Sequence, residues 1–138
     1  MKILIAEDDF ISRVLLQEML APYGVCHSAA DGREALSAFE RMLEQKTPYD
    51  LICLDIMMPT MDGQEALQNI RRIEKEKGIG GSDAVKVIMT TALDDPKNIM
   101  MAFIKGQCEA YLTKPITPAN LYEQLKKLGF TTLVPEKG

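Results

Sequence analysis

Apolar residues fall along this chain in two alternating textures. Lys2-Ile3-Leu4-Ile5-Ala6, Leu51-Ile52-Cys53-Leu54 and Ala84 to Met89 are short, nearly continuous apolar runs. Such runs read as strands covered on both faces, the kind found in parallel sheets. Val25 to Ala29 and Ala110-Tyr111-Leu112 are shorter or more mixed strands. Between the strands the apolar residues take helical spacing: Ile11, Val14, Leu15 and Met19 within Phe10 to Pro22, then Leu36, Phe39 and Leu43, then Leu67, Ile70 and Ile73, and finally Leu121, Leu125 and Leu128. A further helix is predicted from Asp94-Asp95-Pro96, with proline in the first turn. Asp31 and Asp62 each precede a Glu by three residues, a capping pattern that starts a helix. Thr117-Pro118 caps the last helix and Gly129 stops it.

The order is strand then helix, five times. That alternation predicts an α/β fold: a (βα)5 doubly wound, parallel, five-stranded sheet with right-handed crossovers. Strands one, three and four are the most apolar and should be central. Strands two and five should be edges. The ranking suits the strand order 2-1-3-4-5, with the switch point between strands one and three.

Composition adds little that is unusual. The 138 residues are 46% hydrophobic and 26% charged, as expected of one globular domain. A net charge of −4 disfavours duplex DNA as a partner, so no nucleic-acid role is expected. No segment has the length and apolarity of a membrane span. Cys26, Cys53 and Cys108 are far apart and lack metal-ligand spacing, which reads as reduced thiols in a cytoplasmic protein. The charged run Arg71-Arg72, Glu74 to Lys77 reads as a solvated helix face. His27 reads as an exposed edge residue, and the run Ile99 to Ile104 as too continuous for one buried face, so part of it should be exposed for a partner.

The chemistry gathers where the strands end. Glu7, Asp8 and Asp9 follow strand one, Asp55 ends strand three, Thr90, Thr91 and Ala92 end strand four, and Lys114 follows strand five. In an open parallel sheet these ends share one rim, where ligands bind. Crowded carboxylates repel unless a cation joins them, and an all-oxygen set suits Mg²⁺ or Mn²⁺ rather than zinc. A carboxylate nucleophile, a divalent ion, a hydroxyl and a lysine are the parts of a phosphoryl-transfer site.

Four stretches carry a family resemblance: Ile3-Leu4-Ile5-Ala6-Glu7-Asp8-Asp9, Leu54-Asp55-Ile56-Met57-Met58-Pro59-Thr60-Met61-Asp62-Gly63, Thr90-Thr91-Ala92 and Tyr111-Leu112-Thr113-Lys114-Pro115. Together and in this order the chain resembles the receiver domain of two-component response regulators, most closely the stand-alone kind typified by the chemotaxis regulator. The resemblance implies a flavodoxin-like receiver domain over 1–129, a short C-terminal tail at 130–138 and no output domain. It implies that Asp55 is the phospho-acceptor, with Thr91 and Lys114 on the phosphoryl oxygens. Asp8 and Asp55 would bind Mg²⁺ directly, Glu7 through water, and Met57 through its backbone carbonyl. Thr91 and Tyr111 would form the switch, and Lys114-Pro115 would be cis. The implied partners are a sensor histidine kinase or histidine phosphotransfer protein, and a downstream protein target on the face of the fourth helix, fifth strand and fifth helix. That face also leaves room for a homodimer.

The resemblance implies no enzyme beyond the domain's own phosphorylation and dephosphorylation. A receiver-like interaction module that is never phosphorylated is the alternative. A phosphatase of the aspartyl-phosphate type would want an acid two residues after Asp55, where Met57 stands. A flavin carrier would need a phosphate-binding loop after strand one, where the acids stand instead.

Overall fold

The computed structural model describes residues 1–92 and 108–132. The predicted fourth helix from Asp94, and the expectation for Ile99 to Ile104, lie outside the described residues.

The five strands form where the short apolar runs predicted them. They are β1 (Lys2–Ala6), β2 (Val25–Ala29), β3 (Leu51–Asp55), β4 (Lys86–Thr91) and β5 (Ala110–Thr113). All neighbours pair in parallel, in the order β2-β1-β3-β4-β5, so the fold class and the strand order are as predicted. β4 begins two residues later than its apolar run and extends through Thr91.

Between the strands run α1 (Phe10–Leu20), α2 (Gly32–Glu44) and α3 (Gly63–Glu76), and a C-terminal helix covers Pro118–Lys127. Each starts on a side-chain cap. Asp9, Asp31, Asp62 and Thr117 accept the backbone N–H of Ser12, Glu34, Glu65 and Asn120 respectively. Gly129, at φ +87°, follows the C-terminal helix in the left-handed conformation that glycine adopts without strain.

The central strands are buried on both sides, so two cores result. Leu4, Ile52, Leu54, Val87 and Met89 face α2 and α3, where Phe39, Leu67 and Ile70 meet them. Ile3, Ile5, Cys53, Ile88 and Leu112 face α1 and the C-terminal helix, where Leu16, Leu20, Leu121 and Leu125 meet them. The apolar stripe of α1 departs from its predicted register. Leu16 and Leu20 are buried, while Phe10, Ile11 and Leu15 are exposed. Helical spacing alone allows either stripe, and the sheet selects the one that fits over β1 and β3.

The charged run at the end of α3 is the clearest departure. Arg71 and Glu74 are not part of a solvated face: their side chains are only 13% and 4% exposed. Arg71 donates to Glu74 Oε1 at 2.7 Å, to the Val85 carbonyl at 2.9 Å and to both carboxylate oxygens of Glu109 at 3.1 Å. Val85 N–H donates to Glu74 Oε2 and Val87 N–H to Glu109 Oε2. The network ties α3 to the start of β4 and to the approach to β5. Arg72 and Glu76 are exposed as predicted.

Candidate functional site

Sheet order brings the predicted residues together. β1 and β3 are neighbours, so Glu7 and Asp55 emerge side by side at their carboxyl ends. Asp55 closes β3 and is 2% exposed, and Glu7 is fully buried. Asp8 is exposed at the rim. Carboxylate oxygens of Glu7, Asp8 and Asp55 lie within 4.8 Å of one another.

Backbone packing aims Asp55. Gly63 N–H donates to the Ile56 carbonyl at 2.8 Å, and Ile56 N–H to the Thr90 carbonyl at 2.9 Å. A Cβ on Gly63 would stand 2.1 Å from the Asp55 carbonyl oxygen, so the start of α3 packs against Asp55 only as glycine. Met57 N–H donates to Asp55 Oδ1 at 3.2 Å, while the Met57 side chain is 58% exposed beside the site.

Lys114 comes from the far side. Its Nζ donates to Asp55 Oδ2 at 3.0 Å and lies 2.5 Å from Glu7 Oε1. The second contact is an ion pair off the hydrogen-bonding direction: Glu7 Oε1 has no hydrogen-bond partner among the described residues. Lys114 N–H donates to the Thr91 carbonyl at 2.7 Å, and the Lys114-Pro115 bond is cis as expected. Arg13 donates to the Glu7 carbonyl at 2.8 Å, a support not legible in the pattern of residues along the chain.

Burial pushes the Glu7 carboxyl above its usual range and the adjacent Asp55 pushes the same way, with Lys114 pulling against both. Burial works to lower the Lys114 ammonium, but its carboxylate partners Glu7 and Asp55 together hold it above the ordinary lysine value. Asp9 serves α1 instead: Ser12 N–H and Oγ–H donate to it and hold its carboxyl below the usual range.

Two buried carboxylates and the exposed Asp8, with one lysine between them, leave room for a further cation. The orphaned Glu7 oxygen and the oxygen-only donor set fit Mg²⁺ or Mn²⁺. The remaining predicted residues lie on the two strands beyond β3. Thr91 is fully buried at the end of β4, and Tyr111 on β5 is 38% exposed. The register pairs Asp55 with Thr90, so Thr91 stands one residue further along rather than directly opposite. His27 is exposed as expected, and its Nδ1 lies 2.7 Å from the Tyr49 hydroxyl, away from the site.

This fold with this rim of acids and lysine defines a phosphorelay receiver. The chain belongs to that family: residues 3–126 match the response regulator receiver domain, a signalling module. It is 33% identical over 123 residues to hybrid signal transduction histidine kinase I of Dictyostelium discoideum, covering 88% of this chain but only 7% of that protein. It is 27% identical over 130 residues to chemotaxis protein CheY of Thermotoga maritima, covering 93% of this chain and 97% of that one. Among solved structures, the receiver domain of Ssk1, crystallised with the histidine phosphotransfer protein Ypd1 of Saccharomyces cerevisiae, matches with TM-score 0.79 and 28% identity over 94% of this chain and 88% of that one. A chain of the CheX-CheY-BeF3-Mg²⁺ complex from Borrelia burgdorferi matches with TM-score 0.77 and 27% identity, over 92% and 87%. No helix among the described residues is long and apolar enough to cross a membrane.

Proposed function

We propose that this receiver is a phosphorylation-controlled switch in which Asp55 accepts a phosphoryl group from phosphohistidine on a sensor histidine kinase or a histidine phosphotransfer protein. The observation that carries the reading is the buried Asp55 carboxylate held at 3.0 Å by Lys114, within one cluster with Glu7 and Asp8. An Asp55 oxygen forms the new P–O bond. The P–N bond breaks, its electron pair stays on the imidazole nitrogen, and that nitrogen takes a proton from solvent.

Lys114 holds the acceptor carboxylate in place and carries positive charge toward the phosphoryl oxygens. Thr91 supplies a hydroxyl to the same oxygens, and Tyr111 changes its packing with it. Asp8 and Asp55 would hold Mg²⁺ directly, with the Met57 carbonyl as a further ligand and Glu7 joining through water. Bound there, the ion would supply charge neutralisation for the phosphoryl group. Met57 offers no side-chain acid or base beside Asp55, which argues against a phosphatase that turns over a substrate.

The output is a protein contact. A phosphoryl group shifts the fold only through contacts that differ between two states. Thr91 and Tyr111 sit on β4 and β5, so the face beside β5 and the C-terminal helix is the one they reshape. The receiver domains of the Ypd1 and CheX complexes support a phosphotransfer protein as donor and a protein as target.

The test is intact mass after incubation with a small acyl-phosphate donor, with and without Mg²⁺, on wild type and Asp55→Asn. The expected result is one Mg²⁺-dependent phosphoryl adduct, absent from the variant. No adduct on a wild type that binds Mg²⁺ would leave the unphosphorylated interaction module as the better account.

A further inference from the structure

The mechanism leaves one buried group unused. Thr90 is 1% exposed, and its Oγ1 has no hydrogen-bond partner among the described residues. A buried hydroxyl without a partner is costly, so its persistence calls for an explanation. Its place in the sheet supplies one. Thr90 is paired in register with Asp55 across β3 and β4. Parallel neighbours about 4.8 Å apart put registered side chains on the same face, within hydrogen-bonding reach of each other. Thr90 follows Ile88 on the face of Ile5, Cys53 and Leu112, which is apolar beneath it. Polar side chains at that end of the face include Glu7, Asp55 and Lys114.

Lys114 must also pass over Thr90. β4 lies between β5 and β3, yet Lys114 Nζ reaches Asp55 Oδ2 at 3.0 Å. The bridge therefore crosses the carboxyl end of β4 and ends at the level of Thr90, where Asp55 is paired. One ammonium serves both Asp55 and Glu7, and an anionic group joined to Asp55 will draw it away from the Asp55 oxygen it holds. That oxygen then needs a donor in a place closed to water.

We infer that Thr90 is a positioning residue: its hydroxyl donates to the Asp55 oxygen that Lys114 releases when the site is loaded. The hydroxyl is unpartnered in the unloaded state, in which Lys114 holds that oxygen. The inference rests on the phospho-acceptor reading of Asp55 and assigns a role to the threonine before the proposed switch hydroxyl Thr91.

The experiment compares wild type, Thr90→Val and Thr90→Ser by thermal unfolding. Each is run alone, with Mg²⁺, and with Mg²⁺ plus beryllofluoride as a phosphoryl analogue. Valine keeps the shape and removes the hydroxyl. Alone, Thr90→Val unfolds at or above the wild-type temperature. Mg²⁺ by itself shifts all three alike. With beryllofluoride the valine variant binds about tenfold more weakly than wild type, and serine restores the binding. A structural role for the hydroxyl would lower the stability of Thr90→Val in every condition alike, which overturns the inference. Equal beryllofluoride affinity of wild type and Thr90→Val overturns it as well, while leaving Asp55 as acceptor intact. No beryllofluoride response in wild type overturns the acceptor reading, and this inference with it.

Discussion

Lys114 Nζ reaches Asp55 Oδ2 at 3.0 Å from two strands away, passing over β4 to do so. The contact closes the site from the β5 side, and it is the one cation that the described site supplies for two buried carboxylates. Removing it leaves both acids uncompensated. Lys114→Met should lower stability at neutral pH by about 3 kcal/mol, measured by urea unfolding. Saturating Mg²⁺ should recover part of the loss, because a second cation takes over the same charge.

Glu7 carries the opposite sign. Burial and Asp55 make its ionised form unfavourable in the fold. Glu7→Gln should therefore fold at least as stably as wild type in Mg²⁺-free buffer. It should gain less from added Mg²⁺ in thermal unfolding, as should Asp8→Asn. An equal Mg²⁺ response in all three proteins would remove the acidic cluster as the cation site.

Gly63 tests how Asp55 is held. An added Cβ would meet the Asp55 carbonyl oxygen at 2.1 Å, and backbone cannot swing aside as a flexible side chain can. Gly63→Ala should cost about 3 kcal/mol in urea unfolding. It should also slow phosphorylation by an acyl phosphate in the fraction that stays folded, because α3 and the Asp55 loop move together.

The buried thiols set an alkaline limit. Burial pushes Cys53 from 9.0 up to about 12 and Cys108 up to about 11. Both are raised in the fold, so the unfolded chain loses these protons first. The stability they contribute is complete below pH 9 and falls as pH rises from there toward about 11 and 12. Urea midpoints from pH 7 to pH 10.5 should show that decline, and Cys53→Ala should make it shallower. At pH 8 neither thiol should react with an alkylating reagent until the protein unfolds.

Arg71 gives a prediction remote from the site. Its guanidinium faces Glu74, Glu109 and the Val85 carbonyl in a place with little solvent. Arg71→Met strands a buried Glu74 and should cost about 3 kcal/mol, read by chemical unfolding. Arg72→Met, on the exposed face of the same helix, should change stability by about 0.5 kcal/mol or less.

The contrast between these arginines shows where sequence reading stops. Neighbours in a charged run, they have the same local signal. Only the approach of β4 and β5 to α3 decides that one is buried and paired. The same limit applies to α1, where Ile11 and Leu15 have helical spacing but Leu16 and Leu20 meet the sheet.

Much else was decided locally. Strand runs, helix caps and stops depend on a few adjacent residues: an apolar run, an Asp three residues before a Glu, a glycine that can take φ +87°. Those signals, recurring along the chain, imposed alternating strands and helices, and with them a parallel sheet whose strand ends share a rim. So the order of elements alone brings Glu7, Asp8, Asp55 and Lys114 to one rim. It does not set distance, burial or pairing. That Lys114 bridges Asp55 and Glu7, that Glu7 Oε1 lacks a hydrogen bond, and that Thr90 rather than Thr91 is opposite Asp55 follow from register and side-chain reach. These are properties of segments brought together from distant parts of the chain, and they exist only once the sheet has closed around them.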